Sequence, residues 1–187
     1  MKSQTIYTIY SEQTPNPNVL KFVSNISLFN ATKEFFDKPN KVDFPLISLL
    51  FEFPFVVKVF LGKNFISIEK KNNLDWFEFS SEIREFIQKK LNEGVKASTI
   101  SIEQNYQVNT KSKIEQKIEH IIDKEIRPYI QMDGGEIKLI SFKNGIVQVA
   151  LQGACRGCPS SVTTLKNGIE HKLKSEMPDE IVEVISV

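Results

Sequence analysis

The uneven distribution of phenylalanine most constrains how this chain of 187 residues folds. Thirteen of its fourteen phenylalanines precede residue 87, and only Phe142 lies beyond it. Trp76 is also in the first half, whereas both cysteines, Cys155 and Cys158, are in the second. The length is typical of one large domain or two small ones. The change of composition favours two small domains.

A polar stretch without useful periodicity, from Glu103 to Lys113, separates the two halves. Such stretches are typical of linkers, because few core contacts cross them. We therefore predict an N-terminal domain over residues 1–103, a linker over residues 104–111 and a C-terminal domain over residues 112–187.

The first half mixes strand-like and helix-like patterns. A proline- and asparagine-rich turn follows the first strand candidate, at Thr14-Pro15-Asn16-Pro17-Asn18. A glycine at position 62 joins two β-rich runs into a hairpin. Hydrophobic spacing predicts strands over residues 5–10, 19–23, 55–60, 64–69 and 95–102, and helices over residues 45–51 and 76–91. This is an α+β pattern.

The second half predicts the element order α-β-β-α-β. Ser112 and Glu115 fit a capping box before isoleucines at helical spacing, and Pro128 is expected to kink or end that helix. Asn144-Gly145 predicts a hairpin between strands 136–142 and 146–151, since both positions tolerate positive φ. A second helix is expected to begin near Pro159, and a strand over residues 181–187 closes the domain. The predicted fold class is α+β with two small domains, and the cysteine loop precedes the second helix of the C-terminal one.

Composition excludes several classes of function. The formal net charge is +1, which argues against a protein that wraps nucleic acid and against a polybasic membrane anchor. The first residues resemble no targeting signal and no apolar stretch is long enough to span a bilayer, so we expect a cytoplasmic protein. No phosphate-binding loop, catalytic triad or carboxylate pair stands out.

The loop Gly153-Ala154-Cys155-Arg156-Gly157-Cys158-Pro159-Ser160-Ser161 carries the chemistry. Two thiols three positions apart can bind one soft metal centre, and the glycines let the backbone turn sharply. Cys158 falls near a predicted helix N-terminus, where the helix dipole favours a thiolate. Thiolates are the ligands of zinc and of iron–sulfur clusters.

The number of cysteines predicts a site shared between two chains. A closed zinc site or a cuboidal cluster generally takes four ligands, and one chain supplies two thiolates. His120 and His171 show no zinc-ribbon spacing and are expected to be solvated helix residues. Two copies of the loop across a two-fold axis would supply four sulfurs. We expect such a site to be exposed, which suits delivery of a metal centre better than storage.

Spacing alone leaves other functions open. The pair could be a thioredoxin-like redox centre, which would make the chain a thiol–disulfide oxidoreductase. Pro159 follows the second cysteine, however, and the preceding predicted elements are a hairpin and not a βαβ unit. The pair could also bridge a structural zinc dimer, or be two inert thiols.

Several motifs around the cysteines occur together in one known family. Asp133-Gly134-Gly135-Glu136, the hairpin, the cysteine loop and residues 164–170 resemble the C-terminal domain of NifU-like (Nfu) iron–sulfur proteins. The turn at residues 14–18 and the following Leu20-Lys21-Phe22 resemble the N-terminal domain of the same family. Two positions depart from the family pattern: Glu136 stands where Asp is usual, and Phe55 where many members have Gly.

The resemblance implies a function. It implies a scaffold or carrier and not an enzyme, in which a 4Fe–4S cluster bridges two subunits, with Cys155 and Cys158 as the ligands in each. The cluster would be passed to apo iron–sulfur client proteins after arriving from an upstream donor. It further implies a homodimer when the cluster is bound, and an N-terminal domain that helps to recognise clients or donors.

Overall fold

The computed structural model describes residues 6–100, 112–156 and 162–187, apart from the side chains of residues 162 and 163. The chain divides into two compact units, residues 1–103 and 104–187. The predicted linker, residues 104–111, lies outside the described residues and stays a prediction. The two units are described separately below.

The N-terminal unit contains a five-stranded antiparallel sheet. The strand order is β1-β2-β5-β4-β3, so β1 and β3 form the edges. The strands are β1 Ile9–Gln13, β2 Val19–Ser24, β3 Lys33–Phe35, β4 Val56–Leu61 and β5 Phe65–Lys70.

Two helices, α1 Pro45–Leu50 and α2 Trp76–Asn92, pack against this sheet. Helix α2 begins at the N-cap Asp75, whose side chain accepts a hydrogen bond from the Phe77 N–H, and its buried residues recur at helical spacing. The core is rich in aromatic rings that meet edge to face. Most phenylalanines of this unit lie in the core or against it, although Phe36 and Phe77 are exposed.

The strand predicted over residues 95–102 is wrong within its described part. Residues 95–100 form no strand, because their backbone groups bond to the first turn of α1 and to the loop before it. The Lys96 carbonyl accepts from the Leu46 N–H at 3.2 Å, and the Thr99 N–H donates to the Asp43 carbonyl at 2.9 Å. From this irregular segment Ala97 packs into the core and Val95 against it, whereas Ile100 is exposed.

Two further differences concern strands near the edges. Strand β1 begins at Ile9, because the Asn92 side chain of α2 bonds both backbone groups of Tyr7 in place of a neighbouring strand. Strand β3 has three residues, too few for a periodic pattern, and the sequence did not predict it.

The C-terminal unit has the predicted order α-β-β-α-β. Its three-stranded sheet has the order β6-β7-β8, with β6 and β7 antiparallel and β7 and β8 parallel. The elements are α3 Lys113–Ile121, a π-helical turn Ile122–Ile126, α4 Arg127–Met132, β6 Gly135–Lys143, β7 Ile146–Gly153, α5 Val162–Glu176 and β8 Glu183–Ser186.

Local sequence accounts for the boundaries of these elements. Both halves of the Ser112–Glu115 capping box form, which confirms that prediction. Pro128 lacks the N–H that would continue the helical ladder, and the chain widens into the π turn just before it. Asn144 and Gly145 have φ of 51° and 79°, as the predicted hairpin requires.

No helix within the described ranges is long and apolar enough to cross a membrane.

Candidate functional site

Cys155 lies two residues beyond the end of β7. Gly153 ends that strand with φ of 67°, a conformation that favours glycine, and so turns the chain out of the sheet. The Ala154 N–H then donates to the Gly134 carbonyl at 3.1 Å, which ties the turn to the start of β6. The backbone therefore fixes Cys155 beside the first residues of β6.

Gly135 provides the space that the Cys155 sulfur occupies. A Cβ placed on Gly135 would lie 2.6 Å from Cys155 Sγ and 2.8 Å from the Gln152 carbonyl oxygen. Real Cβ atoms do not approach other atoms so closely, so only glycine allows the thiol to pack here. Asp133-Gly134-Gly135 ends α4 and leads the chain into β6, and Gly135 additionally shapes the cysteine site.

The Cys155 thiol is buried, with the residue 5% exposed, and it packs with the apolar core of the C-terminal unit. The expectation of an exposed site is wrong for this cysteine. That expectation came from counting thiolates, which gives no information about depth. The thiol can be buried because Gly135 leaves space for it. Leu151 and Ala154, close to it in sequence, are apolar and buried as well.

A hydrogen-bonded ion pair holds the start of β6. The buried Glu136 carboxylate accepts from Arg127 Nε at 2.7 Å, from Gln131 Nε2 at 3.0 Å and from the Ile137 N–H at 2.9 Å. Arg127 also donates to the Ile137 carbonyl and pairs with Asp123. Helix α4 and the π turn are thus bonded to the strand that contacts Cys155. The longer side chain at position 136, where the family usually has Asp, takes part in this network.

One buried polar atom next to this network lacks a partner. Gln152 lies opposite Glu136 in the β6–β7 register, and its Oε1 is buried without a hydrogen-bond donor among the described residues. An unsatisfied buried oxygen is costly, so a donor from outside that part of the chain would stabilise it. The Gln152 side chain, near the end of β7, therefore has an acceptor that no donor among the described residues satisfies.

The cysteine loop opens a crossover connection. Because β7 and β8 are parallel, α5 must carry the chain back along the sheet, and β7–α5–β8 is a βαβ unit. In sheets with parallel strands, sites gather outside the carboxyl ends of the strands, where Cys155 lies. The sequence pattern before the cysteines predicted only the hairpin, so this unit was not predicted. The helix between β7 and a later strand candidate was the available signal.

The other predicted site residues are placed as follows. Gly157, Cys158, Pro159, Ser160 and Ser161 lie outside the described residues, so the predicted role of Cys158 stays a prediction. His120 on α3 and His171 on α5 are exposed, as expected. Among the residues described, no group of three or more His, Cys, Asp or Glu side chains is placed to hold a metal ion.

Two family models match the chain in order. The model described as "Scaffold protein Nfu/NifU N terminal" matches residues 9–94, and the model described as "NifU-like domain" matches residues 118–185. Each match falls within one of the two compact units.

Solved structures of similar proteins cover part of the chain. A solution structure of a NifU-like protein from Saccharomyces cerevisiae covers 53% of this chain and 90% of its own, with 23% identity and a TM-score of 0.45. A crystal structure of a Staphylococcus aureus protein covers 42% of this chain, with 20% identity and a TM-score of 0.37.

Curated relatives match over nearly the whole chain. A NifU-like protein of Schizosaccharomyces pombe is 36% identical over 188 residues, which cover 96% of this chain and 72% of the relative. The Drosophila persimilis protein named "NFU1 iron-sulfur cluster scaffold homolog, mitochondrial" is 34% identical, and this chain covers 62% of its length. A Drosophila grimshawi protein of the same name is also 34% identical, with 59% of its length covered. With both domain families matched in order, the chain belongs to the NifU-like (Nfu) family.

Proposed function

We propose that this chain is an iron–sulfur cluster scaffold and carrier. It accepts a 4Fe–4S cluster as cargo, holds it between two copies of the chain and passes it to apo-proteins. The observation that supports the proposal best is the position of Cys155, at the carboxyl end of β7 in a NifU-like domain. The fly relatives carry the words "iron-sulfur cluster scaffold" in their names.

The ligand count requires two chains. A 4Fe–4S cluster takes four thiolates, and Cys155 and Cys158 are the only cysteines in the sequence. Two loops related by a two-fold axis supply the four sulfurs, and each chain contributes the same pair. Release then needs only exchange of these thiolates for those of an acceptor, with no nucleotide-driven step.

The site fits a transient cargo. The Cys155 thiol packs beside Gly135 in an apolar setting, which suits the soft sulfur of a metal thiolate. Loading requires Cys155 Sγ to become accessible from its buried position. We infer that Cys155 moves outward from this position when the cluster enters.

Anaerobic reconstitution with iron and sulfide tests the proposal. We expect a brown dimer on gel filtration, with about four iron and four sulfide per two chains. Cys155→Ser and Cys158→Ser should each abolish both the colour and the cluster-dependent dimer. Gly168→Ala, which keeps both thiols and meets nothing within 4 Å, is the matched control. A normal cluster in both serine variants would refute the assignment.

Transfer is tested separately. The loaded dimer is mixed anaerobically with an apo-ferredoxin that takes a 4Fe–4S cluster, and the two proteins are separated. We expect the iron to move to the acceptor and the dimer to fall apart. A cluster that stays on the dimer after prolonged incubation would exclude the carrier role but leave cluster binding intact.

A thiol–disulfide oxidoreductase is the second candidate. The βαβ unit favours it, because redox cysteine pairs also occur at the first turn of such units. The absence of a preceding βαβ unit therefore no longer argues against it. A colourless protein that cycles a Cys155–Cys158 disulfide and reduces a disulfide substrate would favour this function. Stoichiometric zinc in a colourless dimer would favour a structural zinc site instead.

The location of the protein stays a prediction. The sequence predicts a cytoplasmic protein, whereas the names of the fly relatives include the word "mitochondrial". Fractionation of cells that express the protein from its own gene, followed by immunodetection in cytosolic and organellar fractions, distinguishes the two.

A further inference from the structure

A cleft of about 800 Å³ lies in the N-terminal unit, far along the chain from the cysteines. It is formed by the end of β1, the turn that follows it, the end of β5 and the start of α2. The residues that line it include Ser11, Gln13, Asn18, Lys70 and Asp75. Its volume falls in the range of ligand pockets.

Lys70 is an unusual residue in the wall of this cleft. It is 4% exposed, and its Nζ donates to the neutral Asn18 Oδ1 at 3.3 Å. No described carboxylate lies within 4 Å of it. The two other buried lysines of the same sheet are each paired: Lys21 with Glu12 at 2.8 Å, and Lys58 with Glu69 at 2.6 Å. An ammonium removed from water needs an anion to offset its lost hydration. Lys70 is thus a buried cation suited to an external anion.

The rest of the cleft limits which anion fits. Asn18 is held in place by four further hydrogen bonds, since its backbone and amide groups bond Asn16, Lys70, Asn72 and Trp76. It cannot move away to leave a larger basic site. Asp75 also lines the cleft, with its carboxylate engaged by the Phe77 N–H. One cation beside one fixed carboxylate suits a monoanionic carboxylate better than a phosphate, which requires several donors and charges.

The edge of β1 supplies a place for a peptide backbone. The Ile9 N–H points away from β2, because it donates to the Gln88 side chain of α2. The neighbouring residue Thr8 faces β2 instead, since its carbonyl accepts from the Asn25 N–H. Antiparallel pairing alternates, so the backbone groups of Ser11 and Gln13 also point outward. Both residues line the cleft. Unpaired edge groups are the usual site for an added strand.

Only a short stretch of this edge is open. Side chains of α2 occupy it at Tyr7 and Ile9, through Asn92 and Gln88. A long segment of a partner cannot continue past Ile9 along the edge, whereas a chain end needs only the stretch from Ser11 to Gln13. We propose that this cleft binds the C-terminal tail of a partner protein, with Lys70 pairing the terminal carboxylate and the β1 edge pairing the last residues. This site is independent of the cluster proposal.

The test is an NMR titration of the ¹⁵N-labelled, cluster-free full chain. The first probe is a pool of random pentapeptides with free C-terminal carboxylates. The second is the same pool as C-terminal amides, and the third is an amidated pool with Glu at the last position. We expect the first pool to shift the amide signals of Ser11, Gln13 and Asn18, and the amidated pool to leave them unchanged.

Lys70→Met keeps the length of the side chain and removes its charge. We expect it to weaken binding of the first pool about tenfold or more, as the loss of a charged hydrogen bond implies. Lys63→Met, at an exposed position of the hairpin turn, is the matched control and should bind normally. Loading of the cluster should be unchanged in both variants.

Three outcomes would overturn the proposal. The first is equal shifts with the free and amidated pools, or no shifts with either, both of which are measured on the unmodified chain. The second is stronger binding of the Glu-ended amidated pool, which would assign the cleft to acidic side chains. The third is unchanged binding in a folded Lys70→Met variant.

Discussion

At Gly135 the side chain is a single hydrogen, and this determines how closely β6 approaches the Cys155 thiol. A Cβ placed on Gly135 would lie 2.6 Å from Cys155 Sγ and 2.8 Å from the Gln152 carbonyl oxygen, so there is no space for a methyl group. The carbonyl belongs to a strand and cannot swing aside as a flexible side chain can. The steric constraint at this position therefore acts on the cysteine site directly.

We predict that Gly135→Ala destabilises the C-terminal unit by about 1–3 kcal/mol, the usual cost of overpacking, and reduces the iron bound per chain. Gly168→Ala is the control, because Gly168 lies in α5 with nothing within 4 Å of the new methyl group. That substitution should stabilise by about 0.5–1 kcal/mol. Amide hydrogen exchange of β6 and β7 in the full chain measures both effects. Equal protection in the two variants would contradict the steric argument.

The sequence identifies the two cysteines as candidate ligands but does not predict that Cys155 is buried. A Cys-x-x-Cys spacing shows that two thiols can share a metal, whereas burial depends on residues that approach from elsewhere in the chain. Gly135 comes next to Cys155 only through the pairing of β6 with β7. The partner of Glu136 was hidden for the same reason, since Arg127 lies on another element.

Among the elements, α5 and β8 are joined by the Glu170 carboxylate and by an ion pair between Lys166 and Glu183. Glu170 accepts from Lys174 Nζ at 2.6 Å and from the Val184 N–H at 3.0 Å. The Lys174 ammonium, and next the Val184 N–H, hold the pKa of the Glu170 carboxyl below its ordinary value of 4.5. This contact fixes the last strand of the βαβ unit against its helix.

The pH dependence of this contact follows from the lowered pKa. The charged form of Glu170 is favoured in the folded state, so its stabilising contribution is present above pH 4.5 and is lost as the pH falls through the folded pKa. We predict that the chain with Glu170→Gln is less stable than the parent at pH 6, and that the difference shrinks between pH 4.5 and pH 3. Urea unfolding followed by circular dichroism at several pH values measures it. A difference that stays constant down to pH 3 would contradict the assignment.

Local rules predicted most elements, and the failures share one cause. Caps, the Asn-Gly turn and hydrophobic spacing act within a few residues, so the helices and the β6–β7 hairpin could be predicted from the sequence. The segment 95–100 and the parallel pairing of β7 with β8 depend on distant backbone partners. No short window of sequence contains that information.

For the whole molecule, the two units have separate cores. The aromatic core of the first and the isoleucine-rich core of the second share no described residue. The family matches also fall one to each unit. This division agrees with the composition of the sequence, in which thirteen of the fourteen phenylalanines lie in the first half and both cysteines in the second.

We predict that residues 112–187 expressed alone fold and accept the cluster, while residues 1–103 fold and accept none. Circular dichroism and thermal melting of both fragments measure folding, and iron content after reconstitution measures loading. The full chain should melt in two steps that match those of the fragments. A folded C-terminal fragment that cannot be reconstituted, or a single melting step in the full chain, would show that the units depend on each other.

The parallel pairing of β7 with β8 also has a consequence for synthesis of the protein. The ribosome makes the two cysteines about 30 residues before it makes β8, the strand that completes their sheet. At about 5–20 residues per second, this interval lasts a few seconds. During it the C-terminal unit cannot be complete, because β7 still lacks its parallel partner, whereas the N-terminal unit, made earlier, can already be folded. The nascent chain therefore passes through a stage with one finished domain and one unfinished domain, and the core that buries Cys155 is completed last, when Val184 of β8 is added.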